Sequence, residues 1–145
     1  MSVQNGTPVS IRHFTDPGCP FAFSAERQRL RLAWLYGDQI DWTTHLVVLR
    51  EESPPEDWPT AGRVDLPGFR PIEAYEAALA NLAPELTRRP DPEDVETVLE
   101  WAGMPLATAE VAAVCDRDVP DVRAELARAA ARFEPVGGDG YWSLA

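Results

Sequence analysis

Hydrophobic and polar positions in the first third of the chain follow two different periods. Val9–Thr15 alternates imperfectly between apolar and polar side chains, which predicts a β-strand. Residues 21–36 repeat their apolar positions with helical spacing, and residues 40–49 form a second strand-like run that ends in Leu-Val-Val-Leu. A continuous apolar end of this kind is typical of a buried parallel strand. The order predicts a βαβ unit with two parallel strands.

A less regular segment follows the second predicted strand. Residues 51–57 are acidic and contain two adjacent prolines, which predicts a surface loop. Residues 63–66 are a candidate for a short strand. Residues 72–82 place apolar side chains at spacings of three and four, which predicts a helix that ends before Pro84.

The last third of the chain has a helical pattern and then a hairpin pattern. Three helices are predicted, over residues 92–102, 109–114 and 120–133. Gly103 ends the first of these helices, and Thr108 caps the second. A Gly-Gly-Asp-Gly turn then separates the two strands of a predicted β-hairpin, which cover residues 134–136 and 141–144. Because a Pro- and Arg-rich segment precedes this region, we predict two domains, over residues 1–86 and 87–145.

One cysteine lies where the first predicted strand meets the first predicted helix. Cys19 follows Asp-Pro-Gly, and Pro20 fits the first helical position because its missing N–H costs nothing there. The first N–H groups of a helix lack partners within the helix and carry partial positive charge, so they stabilise a thiolate. Ser24 is close enough in sequence to donate to such a thiolate or to cap the turn. A small buried hydrophobic role is the alternative for Cys19.

Residues 13–22 read His-Phe-Thr-Asp-Pro-Gly-Cys-Pro-Phe-Ala. This segment resembles the active-site segment of the DsbA-like branch of the thioredoxin superfamily, which includes the FrnE-type oxidoreductases and, more distantly, the 2-hydroxychromene-2-carboxylate isomerases. Residues 36–42 continue the likeness, which covers about the first third of the chain. The resemblance implies an α/β, compact thioredoxin-like βαβ…βα domain with Cys19, Pro20 and Ser24 in its catalytic site.

The resemblance also implies a substrate groove and a particular chemistry. Phe21, Trp58 and Pro59 are the expected substrate-binding residues, and Pro59 takes the place of the family's cis-proline. The family's second cysteine falls at Ala22, so the motif reads Cys-x-x-Ala and supports no internal dithiol cycle. The expected chemistry is a mixed disulfide resolved by an outside thiol, or chemistry with a low-molecular-weight thiol as cofactor. The family's helical insertion is also missing, since only residues 50–57 fill its place.

Three helices followed by a hairpin resemble a winged helix-turn-helix, so the second predicted domain is a small α+β, winged-helix-like module. A DNA-binding version normally presents a basic face. Residues 84–145 instead contain 6 Arg and 13 acidic residues, a net charge of −7. The module is therefore expected to be structural or to bind a protein partner. Arg27 and Arg31, four residues apart on the first predicted helix, are expected on a solvated surface.

Composition narrows the setting of the protein. The net charge of −11 disfavours non-specific attraction to nucleic acid or anionic membranes. All 13 basic residues are Arg, which suggests a high-GC bacterial genome. Two cysteines, Cys19 and Cys115, are too few and too far apart for a disulfide framework. The two histidines and two cysteines are scattered along the chain, so the sequence predicts no metal-ligand cluster. With no signal peptide or membrane span in the pattern, we expect a cytoplasmic protein with reduced thiols.

Three functional hypotheses follow. The first is a thioredoxin-fold, thiol-dependent oxidoreductase-like protein that uses Cys19 on a small thiol or a protein thiol. The second is a catalytically inactive scaffold that binds a protein partner or forms a homodimer that completes a shortened sheet. The third is a winged-helix regulator that senses redox state through Cys19.

Overall fold

A computed structural model describes residues 7–16, 19–46, 64–66, 68 and 70–145. Over these residues the fold is mixed α/β, with five α-helices and two small sheets. The chain divides into two compact units, Met1–Glu26 with Tyr36–Arg88, and Arg27–Leu35 with Arg89–Ala145. The first long helix therefore contributes residues to both units. The predicted division after residue 86 stays a prediction.

The first unit contains the predicted strand–helix–strand order. Strand β1 (Val9–Thr15) precedes helix α1 (Pro20–Tyr36), and a short 3-10 turn leads into strand β2 (Ile40–Leu46). The strands are parallel, with Val9 opposite Ile40 and Thr15 opposite Leu46. This confirms the predicted strands and their parallel pairing as far as Leu46. Leu46 is largely exposed, so the burial predicted for this strand end is wrong at Leu46. The predicted end of the second strand, residues 47–49, and the loop at residues 51–57 lie outside the described residues.

Helix α2 (Ile72–Leu82) completes the described elements of the first unit and confirms the helix predicted there. Leu79 is buried, and its carbonyl accepts from the N–H of Ala83, just before Pro84. The strand predicted at residues 63–66 is wrong over residues 64–66, which have no regular structure. Val64 is exposed, and a three-residue run without a pairing strand has no ladder to hold it extended.

The second unit combines the later half of α1 with three helices and a three-stranded antiparallel sheet. Its elements after residue 89 are α3 (Val95–Ala102), β3 (Leu106–Ala107), α4 (Thr108–Cys115), α5 (Val119–Leu126), β4 (Ala131–Val136) and β5 (Asp139–Leu144). The strand order is β3–β5–β4. Apolar side chains from all three helices and from β3 are almost fully buried, which makes this the larger described core: Val95, Val98, Leu106, Val111, Val114, Val122 and Leu126.

Local hydrogen bonds explain why two helices begin at residues other than those predicted. Helix α3 begins at Val95, not at residue 92, because the Asp94 carboxylate accepts from the Thr97 N–H at 2.7 Å and caps the helix. That bond also holds the pKa of Asp94 below its usual value. Helix α4 has Thr108 as its first residue and not as its cap. The Glu110 carboxylate accepts from the Ala107 N–H at 2.7 Å instead.

The predicted third helix is wrong in its second half. Helix α5 ends at Leu126, residues 127–130 turn, and β4 begins at Ala131. Residues 127–132 contain only Ala and Arg, which favour a helix locally. Cross-strand packing overrides that preference, because Phe133 lies opposite Trp142 with ring centroids 4.5 Å apart. The hairpin is therefore longer than predicted.

Arg31 is the clearest departure from the predicted surface of α1. It is only 3% exposed and belongs to the second unit. Its guanidinium donates to the Asp91 carboxylate at 2.7 Å and to the Val114 carbonyl. The expected solvated position is therefore wrong for Arg31. The feature of the sequence that could have indicated this burial is the position of the arginine within the apolar run Leu-Arg-Leu-Ala-Trp-Leu.

None of the helices that the structure describes is long and apolar enough to cross a membrane. Within the same residues, no group of three or more His, Cys, Asp or Glu side chains could hold a metal ion.

Candidate functional site

Cys19 lies directly before the first residue of α1. Its N–H donates to the Asp16 carbonyl at 2.9 Å, and Asp16 directly follows β1. Pro20 is the first helical residue and is exposed. The thiol is free and half-buried. Cys19 therefore directly precedes the first turn of α1, and the first N–H groups of a helix lack partners within the helix.

Ser24 makes its described contact with the backbone of the same turn. Its hydroxyl donates to the Pro20 carbonyl at 3.0 Å, four residues earlier. Such a bond to the carbonyl four residues earlier is a local contact within the helix. It does not involve the thiol of Cys19, so the predicted thiolate contact of Ser24 stays a prediction.

Two large apolar side chains are exposed near Cys19 in the chain or at the carboxyl end of the strand pair. Phe21 is 77% exposed on the first turn of α1, and Leu46 is 71% exposed at the end of β2. Because β1 and β2 are parallel, Leu46 lies at the same edge of the sheet as Thr15, from which the chain leads to Cys19. In α/β proteins, ligands bind at the carboxyl ends of the strands. Phe21 and Leu46 therefore offer apolar surface at the edge where the thiol lies.

Trp58 and Pro59, the other predicted substrate-binding residues, lie outside the described residues. Of the predicted site residues, the structure brings together Cys19, Pro20, Phe21 and Ser24, all within the first two turns of α1 or directly before it.

A stacked aromatic pair that the sequence did not predict lies at the same edge of the sheet. His45 on β2 lies opposite Phe14 on β1, and their rings stack with centroids 4.9 Å apart and planes at 11°. The pair lies on the face of the sheet opposite to His13, because side chains alternate along a strand. Only the pairing register could reveal it, since the two residues are 31 positions apart in the chain.

Cys115 differs from Cys19 in its surroundings. It is the last residue of α4 and is buried. Burial raises the pKa of the Cys115 thiol to about 11, because the charged form loses its hydration. At neutral pH this thiol is therefore protonated and shielded, which fits the predicted inert role.

Two arginines near α5 form ion pairs within the second unit. Arg123 contacts Asp139 at 2.7 Å, and Arg117 contacts Glu125 at 2.6 Å. The second contact lowers the pKa of Glu125, because the guanidinium stabilises the carboxylate. These pairs leave little positive charge on the helix that would read DNA in a winged helix-turn-helix.

The chain matches no family model, no curated protein and no solved structure. The resemblance of residues 13–22 to DsbA-like proteins therefore stays a prediction, and the site is defined by its own geometry.

Proposed function

We propose that this chain is a thioredoxin-like, cytoplasmic protein that uses the single thiol of Cys19 for thiol–disulfide chemistry. The observation that supports this proposal is the position of a free, half-buried cysteine immediately before the first residue of α1, at the edge of a parallel strand pair. The thiolate is the nucleophile in such reactions, and the N-terminus of a helix is a position that favours an anion.

The proposed reaction has two exchange steps. The Cys19 thiolate attacks one sulfur of a substrate disulfide, forms a mixed disulfide and releases the other sulfur as a thiolate that takes a proton from solvent. Ala22 stands where a second cysteine would resolve this intermediate. A low-molecular-weight thiol or a protein thiol from outside must therefore attack the mixed disulfide. The attacking sulfur forms a new disulfide with the substrate sulfur, and Cys19 leaves as the thiolate.

The residues around Cys19 have separate roles in this proposal. Pro20 starts the helix at the position where its lack of an N–H costs nothing, so the terminus faces the thiol. Exposed Phe21 contacts an apolar part of the substrate. Ser24, whose hydroxyl donates to the Pro20 carbonyl, lies in the turn that follows the thiol. Trp58 and Pro59 are proposed to complete the substrate groove.

The test compares alkylation of Cys19 in the folded and unfolded chain. In a Cys115→Ser variant at about pH 7, we expect iodoacetamide to react at least about 3-fold faster with the folded protein than with the same protein in urea, because the helix terminus favours the thiolate. Labelling is measured by mass spectrometry. Cys19→Ser is the matched control, and it should show no fast labelling because burial raises the pKa of Cys115 to about 11.

Slower labelling in the folded than in the unfolded Cys115→Ser protein would overturn the thiol proposal. It would favour the inactive scaffold, in which the same fold binds a protein partner or forms a homodimer. Exposed Phe21 and Leu46 would then be part of the binding surface.

The second candidate function concerns residues 89–145, for which we propose a winged-helix-like, partner-binding module. Helix, strand, two helices and two strands follow one another in the order of a winged helix-turn-helix. The ion pairs Arg123–Asp139 and Arg117–Glu125 favour a protein partner over nucleic acid.

We expect no binding of the full chain to random duplex DNA in about 50 mM salt, because phosphate contacts need a basic face and the chain has a net charge of −11. Fluorescence anisotropy of a labelled duplex measures this. Binding at micromolar protein that weakens steeply with added salt would support the redox-sensing regulator instead.

A further inference from the structure

The later half of α1 is buried on nearly all sides. Five of its residues are less than 9% exposed: Leu30, Arg31, Leu32, Trp34 and Leu35. At 3.6 residues per turn these positions cover more than one face of a helix. A helix that is buried all round belongs to the core of a unit and not to its surface.

Arg31 connects this half-helix to two separate parts of the second unit. Its Nη2 lies 2.7 Å from Asp91 Oδ1, ahead of α3, and 3.5 Å from Asp116 Oδ2, just after α4. Its Nη1 donates to the Val114 carbonyl in the last turn of α4. Carbonyls of a last helical turn lack partners within their helix and carry partial negative charge. The guanidinium therefore satisfies a helix end and two carboxylates at once.

Trp34 makes a second set of contacts on the same half-helix. Its indole N–H donates to the Pro90 carbonyl at 2.9 Å, and the Arg89 guanidinium lies 4.0 Å from the ring centroid. Trp101 of α3 meets the Trp34 ring edge-on, with centroids 5.4 Å apart. Trp34 is therefore held by the chain that follows residue 88 and by α3.

A backbone hydrogen bond joins the two residues that flank the intervening chain. The Arg89 N–H donates to the Leu35 carbonyl at 2.7 Å. The chain thus leaves the second unit after Leu35 and re-enters it at Arg89, and these two residues are hydrogen-bonded to each other. Residues 36–88 therefore have the geometry of an insertion between neighbouring points of one unit.

We infer that residues 27–35 and 89–145 unfold as one cooperative unit, that residues 36–88 are an insertion into it, and that Arg31 is the buried charge that holds α1 in this unit. The second unit then cannot open without releasing the half of α1 that follows Glu26.

Native-state hydrogen exchange on the full chain tests this inference. As urea is raised, we expect the amides of residues 27–35 to exchange at the same rates as those of α3, α4 and β5, because members of one cooperative unit open together. Exchange of residues 27–35 together with α2, or independently of every other element, would overturn the inference. This comparison needs only the wild-type protein.

A substitution at Arg31 tests its role. In Arg31→Met, which keeps much of the aliphatic stem, we expect exchange in residues 27–35 and 89–145 to accelerate together by about 10- to 100-fold, because the Val114 carbonyl loses its charged donor. Arg88→Met is the matched control, since Arg88 pairs with Glu76 in the first unit and is half exposed. It should leave exchange in the second unit unchanged. Acceleration confined to residues 27–35 in Arg31→Met would refute the cooperative link.

Asp91→Asn provides the check if Arg31→Met does not fold. This variant keeps the side-chain shape and removes one charge of the network. We expect a smaller acceleration over the same set of amides, because charge-assisted hydrogen bonds are stronger than neutral ones. No acceleration in residues 27–35 would count against the role of Arg31.

Discussion

Replacing Gly140 with alanine is expected to lower the free energy of unfolding of the second unit by about 3 kcal/mol. A Cβ atom at Gly140 would lie 2.3 Å from the Glu134 carbonyl oxygen and 2.6 Å from the Phe133 ring. Real Cβ contacts are never so short, and the nearest atom belongs to the backbone of the paired strand β4. The hairpin would therefore have to separate, and the Phe133 ring would have to leave Trp142.

Gly138→Ala is the matched control for this prediction. Gly138 lies in the turn of the same hairpin, and a Cβ there meets nothing within 4 Å. We expect a change within about 0.5 kcal/mol, as for most exposed substitutions. Both variants are measured by urea unfolding of the full chain. Equal losses in the two variants would show that the close approach of Gly140 to β4 does not exist in solution.

Replacing Leu35 with alanine is expected to lower the free energy of unfolding by about 3 kcal/mol, within the range of buried Leu→Ala changes. Leu35 is 0% exposed and lies in the buried half of α1. The loss has two sources. Alanine removes less apolar surface from water on folding, and the surrounding side chains do not fill the cavity that the shorter side chain leaves. Alanine and leucine both favour helices, so helix propensity contributes little to the change.

Leu144→Ala is the control for the loss at Leu35. Leu144 belongs to the same unit but is 44% exposed at the end of β5. We expect it to lose less than about 1 kcal/mol, because less apolar surface is at stake and no closed cavity forms. Urea unfolding followed by tryptophan fluorescence suits both variants, since Trp34, Trp101 and Trp142 lie in the second unit. A loss at Leu35 no larger than that at Leu144 would contradict the buried position of α1.

The elements whose side-chain period is clear were predictable from the chain. Strand β1, helices α1 and α2 and the start of β2 follow from apolar spacing and from the proline and glycine residues beside them. The position of Cys19 at a strand–helix junction was predictable for the same reason. The left-handed φ of +62° at Gly103 likewise agrees with the predicted end of a helix.

The largest differences from the prediction were decided by distant partners. The boundary between α5 and β4 depends on Phe133 packing against Trp142, and the Ala- and Arg-rich stretch before it contains no sign of that partner. The stacked Phe14–His45 pair at the candidate site depends in the same way on strand register. Local propensities differ by tenths of a kcal/mol per residue, whereas burial of a large side chain contributes about 1.5–3 kcal/mol, so tertiary packing prevails where the two conflict.

The sequence by itself determined the strand–helix–strand order, the location of one cysteine at the start of a helix, and the acidic character of the C-terminal region. Only the tertiary structure decided that Arg31 is buried against Asp91 and Val114, and that the later half of α1 belongs with residues 89–145. The physical reason is that a local pattern specifies which side chains share a face. The groups that cover that face, and that neutralise a charge within it, come from segments more than 50 residues away in the chain.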